Sequence, residues 1–553
     1  MAQMKIACIF IILILFLTPH SQILDDRGEQ TLLTEGRQQN LQTNFTQLDQ
    51  DIQNLVNRWN LPGAQAAVMY NGTLVFQQSY GMSDTALQIP VQNNDRFRIA
   101  SLSKAITSAA ILTLIENGSL SLDDKMVDLI PHLLPDPLEG CPYPIGTREW
   151  SIGNITVSHL LNHNSGLETS PDVTYTHWSW WSGEIELWQD PCIDHVGLRT
   201  EYNNGTLAPI TMESVIREWL RQSLIFEPGN APGVVNAAAG FGWDYSNLGY
   251  SILGQIIETI SGTSYESYVN ENVLSPMNIT GMQIGMSQLI QRAQNEVIYY
   301  DWENDSVSSH YPNGTGDDGV NASFDMVPQQ YGGSFVLEEK DGSGAWISTA
   351  ADYAKFISHI DGTLETSSFN NPFDYFVTNP YDSFGTISGH GVFFTSQSNQ
   401  SWRHDGSFSG TSTRFDRELV NGEPVVMVLF TNTRPTGNVS GITWGNDRIG
   451  VMDSVFTTID YTNLTCVLGE TAQILGSNCT CSPVEASWDC TPPDKIEWPE
   501  ITEPDLNKDP ALNPPPEGNT TEQNVSEVPS ISLVAMLSII GLVAIMRRGR
   551  IDV

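Results

Sequence analysis

The chain has 553 residues, enough to bury one large core or two together with appendages. Its 64 acidic against 25 basic residues give a formal charge of −39, and such a surface repels nucleic acid and anionic lipid headgroups, which excludes nucleic-acid binding. Only seven residues are lysines (Lys5, Lys104, Lys125, Lys340, Lys355, Lys495 and Lys508), so a lysine placed beside a reactive group carries weight.

In chain order, Lys5 precedes the apolar run Ile6 to Leu17 and the polar Thr18 to Ser21, the layout of a secretory signal over residues 1–22. Residues 23–48 read as a polar lead or a first helix turn. From about Asp49 the spacing of Ile52, Leu55, Val56 and Trp59 predicts a helix, and Ala66 to Tyr70 then alternate as a strand. Asn71-Gly72 followed by Leu74 to Tyr80 predicts a hairpin.

A helical pattern then starts at Ser101, with Ile106, Ala109, Ala110, Thr113 and Leu114 recurring three or four residues apart and Gly118 as its stop. Positions i and i+3 share a helix face, so the Ser101 hydroxyl and the Lys104 amine can meet locally. A serine needs a base to take its proton, and lysine serves only when neutral. That requires lowering its pKa by about 3 units, roughly 4 kcal/mol, through burial or a nearby cation. Ser-x-x-Lys alone is weak, since an exposed helix start with a solvated lysine has the same pattern.

The middle of the chain is helical and loop-rich. Ile155 to Leu167 ends a short helix at a turn, and residues 171–200 carry Trp178, Trp180, Trp181 and Trp188, read as a local core in preference to a substrate rim. Asn313 to Gly319 resembles a calcium loop but lacks the glutamate at its twelfth position, and reads as a solvated insertion. Glycine-punctuated strands are expected from Gly332, a helix from Thr349, and further strands over Gly391–Thr395, Thr411–Phe415 and, after Asn421-Gly422, Pro424–Thr431. Strands at both ends with helices between predict a mixed α/β fold. One antiparallel sheet is built from the N- and C-terminal segments, and a mostly helical domain is inserted within about residues 105–325 of a 49–460 unit.

Apart from Cys8 in the signal, the cysteines are Cys141, Cys192, Cys466, Cys479, Cys481 and Cys490. An even number in an exported chain favours disulfides, with Cys141 and Cys192 paired across an insertion and the last four closing a 461–500 module in an open connectivity. A zinc cluster is the alternative, although the spacing fits no familiar finger. Sequons such as Asn44, Asn204, Asn399, Asn478 and Asn524 predict N-glycosylation outside the cell. Residues 501–527 form a Pro/Asn/Glu-rich linker. Within 528–553, Ile531 to Met546 is apolar and is followed by Arg547, Arg548 and Arg550, predicting a marginal single span with its C-terminus inside, or a sorting segment.

Two further stretches could complete a Ser-Lys site. Tyr245-Ser246-Asn247 offers a phenol and an amide, which project alike only from an extended segment, ahead of a helix over Ile252–Ile260. His404-Asp405-Gly406-Ser407 offers an imidazole and backbone N–H groups on a strand.

Together these elements resemble the serine β-lactamase and penicillin-binding protein superfamily, and most closely its class C β-lactamase-like branch of esterases, D-aminopeptidases and DD-carboxypeptidases. The resemblance runs from about Leu61 to Thr433. It includes Phe97-x-Ile-Ala-Ser101-x-Ser-Lys104, His159-Leu-Leu-x-His163-x-Ser-Gly-Leu167, Phe226-x-Pro228-Gly229, Tyr245-Ser-Asn247 and His404-x-Gly406. It implies Ser101 as acylated nucleophile, Lys104 as its base, and Tyr245 as a proton relay, either as phenolate or in a shared-proton network. It also implies an oxyanion hole from the Ser101 and Ser407 N–H groups, Asn247 on the substrate amide, and no metal or organic cofactor.

His404 stands where β-lactamases usually carry the lysine of Lys-Thr-Gly, a group that helps bind a substrate carboxylate. A histidine is largely neutral near pH 7, which argues against good β-lactamase activity. The expected function is therefore an exported, surface-anchored serine hydrolase acting on ester, peptide or amide substrates, D-amino-acid ones included. The alternatives are a weak β-lactamase or DD-carboxypeptidase on foreign murein, and a non-catalytic surface protein reusing the fold. The sequence specifies no oligomeric state.

Overall fold

The computed structural model describes residues 45–134, 152–167, 211–220, 224, 227–229, 245–301, 306–315, 322–333, 335–377, 382–383, 386–395, 398–461, 471–474, 477–481 and 488–491. The signal segment, residues 23–44 of the polar lead, the Trp-rich 171–200 stretch, Cys141, Cys192, Cys466, residues 316–319 of the calcium-like loop, the linker and the C-terminal segment lie outside them.

The first helix, α1, spans residues 45–58 and so begins four residues before Asp49. The physical reason is that Phe45 and Leu48 continue its apolar stripe and are buried. Strands β1 (Gly63–Tyr70) and β2 (Thr73–Asp84) form the expected hairpin, with Asn71 and Gly72 at φ 46° and 75° in the left-handed conformation that a tight two-residue turn requires. Next come β3 (Ile89–Pro90), β4 (Phe97–Arg98), a 3-10 turn over Ala100–Leu102 and helix α2 (Ser103–Glu116).

The inserted segment holds α3 (Val157–Leu161), α4 (Asn247–Ser261), the short β5 (Gln283–Ile284) and a hairpin of β6 (Ser306–Thr315) with β7 (Ala322–Pro328). Helices over Met126–Leu129, Met212–Trp219 and Tyr265–Val269 lie in the same stretch. β8 (Trp346–Ser348) and α5 (Ala350–Ile360, capped by Thr349) follow. The chain then runs through β9 (Asp382–Ser383), β10 (Thr386–Ser388), β11 (Phe393–Thr395), β12 (Ser398–Phe408), β13 (Thr411–Val420), β14 (Glu423–Thr431) and α6 (Trp444–Thr458).

Nine strands make one antiparallel sheet in the order β3-β2-β1-β14-β13-β12-β11-β10-β9. The two ends of the fold meet at β1 and β14, in a register that sets Ala67 opposite Val428. Successive side chains of these strands point to opposite faces. Ala66, Val68, Met427 and Leu429 pack in a core with Leu55 of α1, Trp59 just after it, and Trp444 and Val455 of α6. Ala67, Met69, Val428 and Phe430 belong to the larger core that contains α2, α4 and α5. Each fully buried aliphatic or aromatic side chain contributes roughly 1.5–3 kcal/mol, so both helical layers are held firmly on the sheet.

Where strands were expected from Gly332, the chain instead kinks at Tyr331 and Gly332, the latter at φ 87°, and makes one-turn helices over Glu338–Lys340 and Asp341–Gly344 before the three-residue β8. The small residues there serve close packing: a Cβ on Gly342 would lie 2.4 Å from the Tyr250 carbonyl oxygen of α4. β8 pairs with β4 and β5 in a second small sheet, which fixes the chain just ahead of Ser101. Farther on, Cys479 and Cys490 sit opposite each other in the strand pair Ser477–Cys481 and Trp488–Thr491.

Candidate active site

Ser101 is the middle residue of the 3-10 turn that leads into α2, and Lys104 is the second residue of α2. The turn is strained, because Ala100 has φ 48°, a region in which a non-glycine residue costs of order 1 kcal/mol. Hydrogen bonds on both sides hold it there. Ile99 N donates to the Trp346 carbonyl at 2.9 Å, Thr413 Oγ1 donates to the Ile99 carbonyl at 2.9 Å, and the Tyr353 hydroxyl donates to the Leu102 carbonyl at 2.9 Å.

Lys104 is fully buried, and its Nζ has three neighbours: Asn247 Oδ1 at 2.7 Å, the Ser343 carbonyl at 2.7 Å and Ser101 Oγ at 3.3 Å. Burial, aided by the positive charge of Lys340, pushes its pKa well below the usual lysine value. A neutral amine has two N–H groups and one lone pair. Asn247 Oδ1 and the Ser343 carbonyl can only accept, so they take both N–H groups and the lone pair is left for the Ser101 hydroxyl. This is the arrangement of a nucleophile with its base.

Tyr245 lies just before α4. Ser246 is the N-cap, accepting from Gly249 N at 3.0 Å, so the helix starts at Asn247 and not at Ile252. That start makes Asn247 the first helical residue and brings its side chain to Lys104. Its oxygen is therefore engaged inside the protein, and only its NH2 is left to meet a substrate amide.

The Tyr245 ring lies 4.8 Å from Lys104 Nζ. Its hydroxyl is buried and turned toward that of Ser101. Burial, only partly opposed by the Ser101 hydroxyl, pushes the phenol well above its ordinary 10. Tyr245 is thus held as a neutral phenol at rest.

His404, Gly406 and Ser407 lie on β12, which runs beside the nucleophile turn. Gly406 makes that approach possible, since a Cβ there would meet Thr413 Oγ1 at 2.1 Å and the Ile99 carbonyl at 2.3 Å. Ser407, the second oxyanion candidate, is exposed and pairs with Ser412 of β13. His404 is buried between Phe393, 4.6 Å away centre to centre, and Tyr245 at 6.1 Å. Burial lowers its pKa to about 4. Of the cysteines, Cys479, Cys481 and Cys490 fall on the two later strands, separate in sequence from every group just described.

Several participants carry no usable sequence signal. Ser343 supplies a carbonyl to a lysine 239 positions away, and Lys340 supplies the charge that Lys104 feels. His163 accepts from Ser246 N at 3.0 Å on Nδ1 and stacks on Tyr245 with centroids 4.5 Å apart. It stands in the His159 to Leu167 motif, so its presence was legible while its role was not. Asp405 is held between Arg414 and Arg448, which outweigh burial and lower its pKa. Among the described residues no cluster of three or more His, Cys, Asp or Glu is placed to hold a metal ion, and no helix is long and apolar enough to cross a membrane.

A family model described as Beta-lactamase matches residues 48–449. The chain belongs to the Beta-lactamase family. Among relatives of this family member, a penicillin-binding protein of Bacillus subtilis (strain 168) is 29% identical over 216 residues, covering 38% of this chain and 36% of the relative. Protein flp of Staphylococcus aureus (strain N315) is 26% identical over 255 residues, 46% of this chain and 41% of the relative. The chain therefore matches less than half the length of these curated relatives. A solved class C beta-lactamase superposes with a TM-score of 0.50 at 15% identity, over 76% of this chain and 97% of that one, and so shares its fold.

Proposed function

We propose that this Beta-lactamase family member is a serine hydrolase that forms an acyl-enzyme at Ser101 on ester, peptide or amide substrates, D-amino-acid ones included. The observation that carries the reading is the bonding of Lys104, whose buried Nζ lies 3.3 Å from Ser101 Oγ while the Asn247 and Ser343 oxygens engage it from the other sides. Lys104 takes the hydroxyl proton as Ser101 Oγ attacks the carbonyl carbon, and the amides of Ser101 and Ser407 receive the oxyanion. The proton passes from Lys104 through the neutral Tyr245 hydroxyl to the leaving group, and water activated by the same pair then releases the acyl group.

The neutral His404 in place of a lysine favours esters and amides over β-lactams and peptides ending in a free carboxylate. Export, glycosylation and a C-terminal anchor are part of the proposal, supported by the apolar N-terminal run, the density of sequons and the arginines after Met546.

Intact-mass detection of a fluorophosphonate adduct tests the reading. One adduct on the wild type, lost in Ser101→Ala, is expected. A folded wild type that remains unlabelled across the pH range overturns it in favour of a non-catalytic surface protein.

A further inference from the structure

His404 completes only half of its hydrogen bonding. Its Nδ1 lies 2.7 Å from the Asp405 backbone oxygen, and a carbonyl can only accept, so the ring proton sits on Nδ1. Nε2 therefore presents a lone pair. The residue is 3% exposed, and Nε2 has no partner among the described residues. Beyond the neighbouring Tyr245 ring, the buried phenolic hydroxyl is turned toward Ser101. Buried polar atoms are nearly always satisfied, so an open acceptor beside the Tyr245 ring marks a place that a ligand fills. Of the basic groups around it, Lys104 acts on His404 most strongly and is bonded to Asn247 and the Ser343 carbonyl, while Arg414 and Arg448 are committed to Asp405, with Arg414 also bonded to Asp416.

We infer that His404 Nε2 is a hydrogen-bond acceptor for the substrate, so that the enzyme selects compounds presenting an N–H or O–H donor there and rejects a carboxylate. The inference rests on the acyl-enzyme reading above. A carboxylate would set acceptor against acceptor and lose its hydration without replacement, whereas a carboxamide, amine or hydroxyl supplies the missing proton. Burial of the imidazole keeps it neutral at pH 7, so it does not turn into a donor under ordinary conditions.

Arylboronic acids, which add reversibly to an activated serine, test this by competition with fluorophosphonate labelling of Ser101. Three phenylboronic acids would be compared, bearing a meta carboxamide, a meta methyl ester or a meta carboxylate. The wild type is expected to bind the carboxamide about five- to tenfold better than the ester, which lacks the N–H, with the carboxylate weakest. In His404→Phe the amide-over-ester ratio should fall to about one, and in His404→Lys the carboxylate should become the best inhibitor. Each ratio is taken within one protein, so a general loss of reactivity cancels.

A carboxylate that inhibits the wild type as well as the carboxamide overturns the inference. An amide preference that survives in His404→Phe, or equal weak inhibition by all three, overturns it as well. Failure of the wild type to label at all would instead sink the acyl-enzyme reading itself.

Discussion

Asn247→Asp separates a neutral Lys104 from a charged one with almost no change of shape. Asn247 Oδ1 lies 2.7 Å from Lys104 Nζ, and a carboxylate oxygen in that place still accepts the same N–H. At an effective dielectric constant of about 20, a charge pair at that separation attracts by about 6 kcal/mol. Desolvation of the new carboxylate offsets several kcal/mol, which leaves a few kcal/mol in favour of the ammonium. Each 1.4 kcal/mol raises the Lys104 pKa by one unit, so on the rising limb, at a pH below both pKa values, labelling should slow by about 10- to 100-fold.

The sign follows from the direction of the shift. Burial depresses the Lys104 pKa, so reactivity rises as pH climbs through that depressed value. The new carboxylate raises it, and the rising limb moves to higher pH with the plateau recovered there. Fluorophosphonate labelling rates for both proteins from about pH 5 to 10 measure this. A variant with the wild-type profile would refute the neutral-base geometry.

Gly406→Ala places a Cβ against Thr413 Oγ1 and the Ile99 carbonyl, so β12 must move from the nucleophile turn. Denaturant titration should show a loss of about 1–3 kcal/mol, and Ser101 labelling should fall disproportionately. His390 is buried, which lowers its pKa to about 3, and neither ring nitrogen has a partner among the described residues. Its folded pKa lies below the unfolded one, so its stabilisation is complete above about pH 6.5 and fades toward pH 3, a span of roughly 4–5 kcal/mol. Thermal melts of His390→Phe should accordingly depend less on pH over that window than those of the wild type.

Asp341 has the opposite sign. Burial raises its pKa to about 8, so its contribution is favourable below about pH 3.8 and is lost as pH rises. Asp341→Asn keeps an acceptor for Gly342 N and should stabilise the protein at pH 7 by at most roughly 4 kcal/mol, with no gain at pH 3. A gain of equal size at both pH values would show that ionisation is not the cause.

Local pattern made much of the fold readable. Asn71-Gly72 and Asn421-Gly422 adopt positive φ and close hairpins, and Thr349 caps its helix, because turn and cap chemistry act over a few residues. Local pattern failed where packing overrode it. Phe45 and Leu48 lengthen α1 by burying themselves, Ser246 starts α4 early, and Gly342 to Gly344 turn tightly against Tyr250 and Phe408 where an isolated reading expects strand.

The same division runs through the site. Ser101 and Lys104 are three residues apart at a helix start, so the sequence by itself determined that a hydroxyl and an amine would meet, and the order of Tyr245 and His404 behind them identified the family. Tertiary structure alone decided the state of those groups. Whether Lys104 is a base depends on burial, on Lys340 and on the Ser343 carbonyl, and whether His404 gives or takes a proton depends on the direction of its Nδ1. Protonation responds to the dielectric and to neighbours in space, and the neighbours that matter here come from segments far apart in the chain.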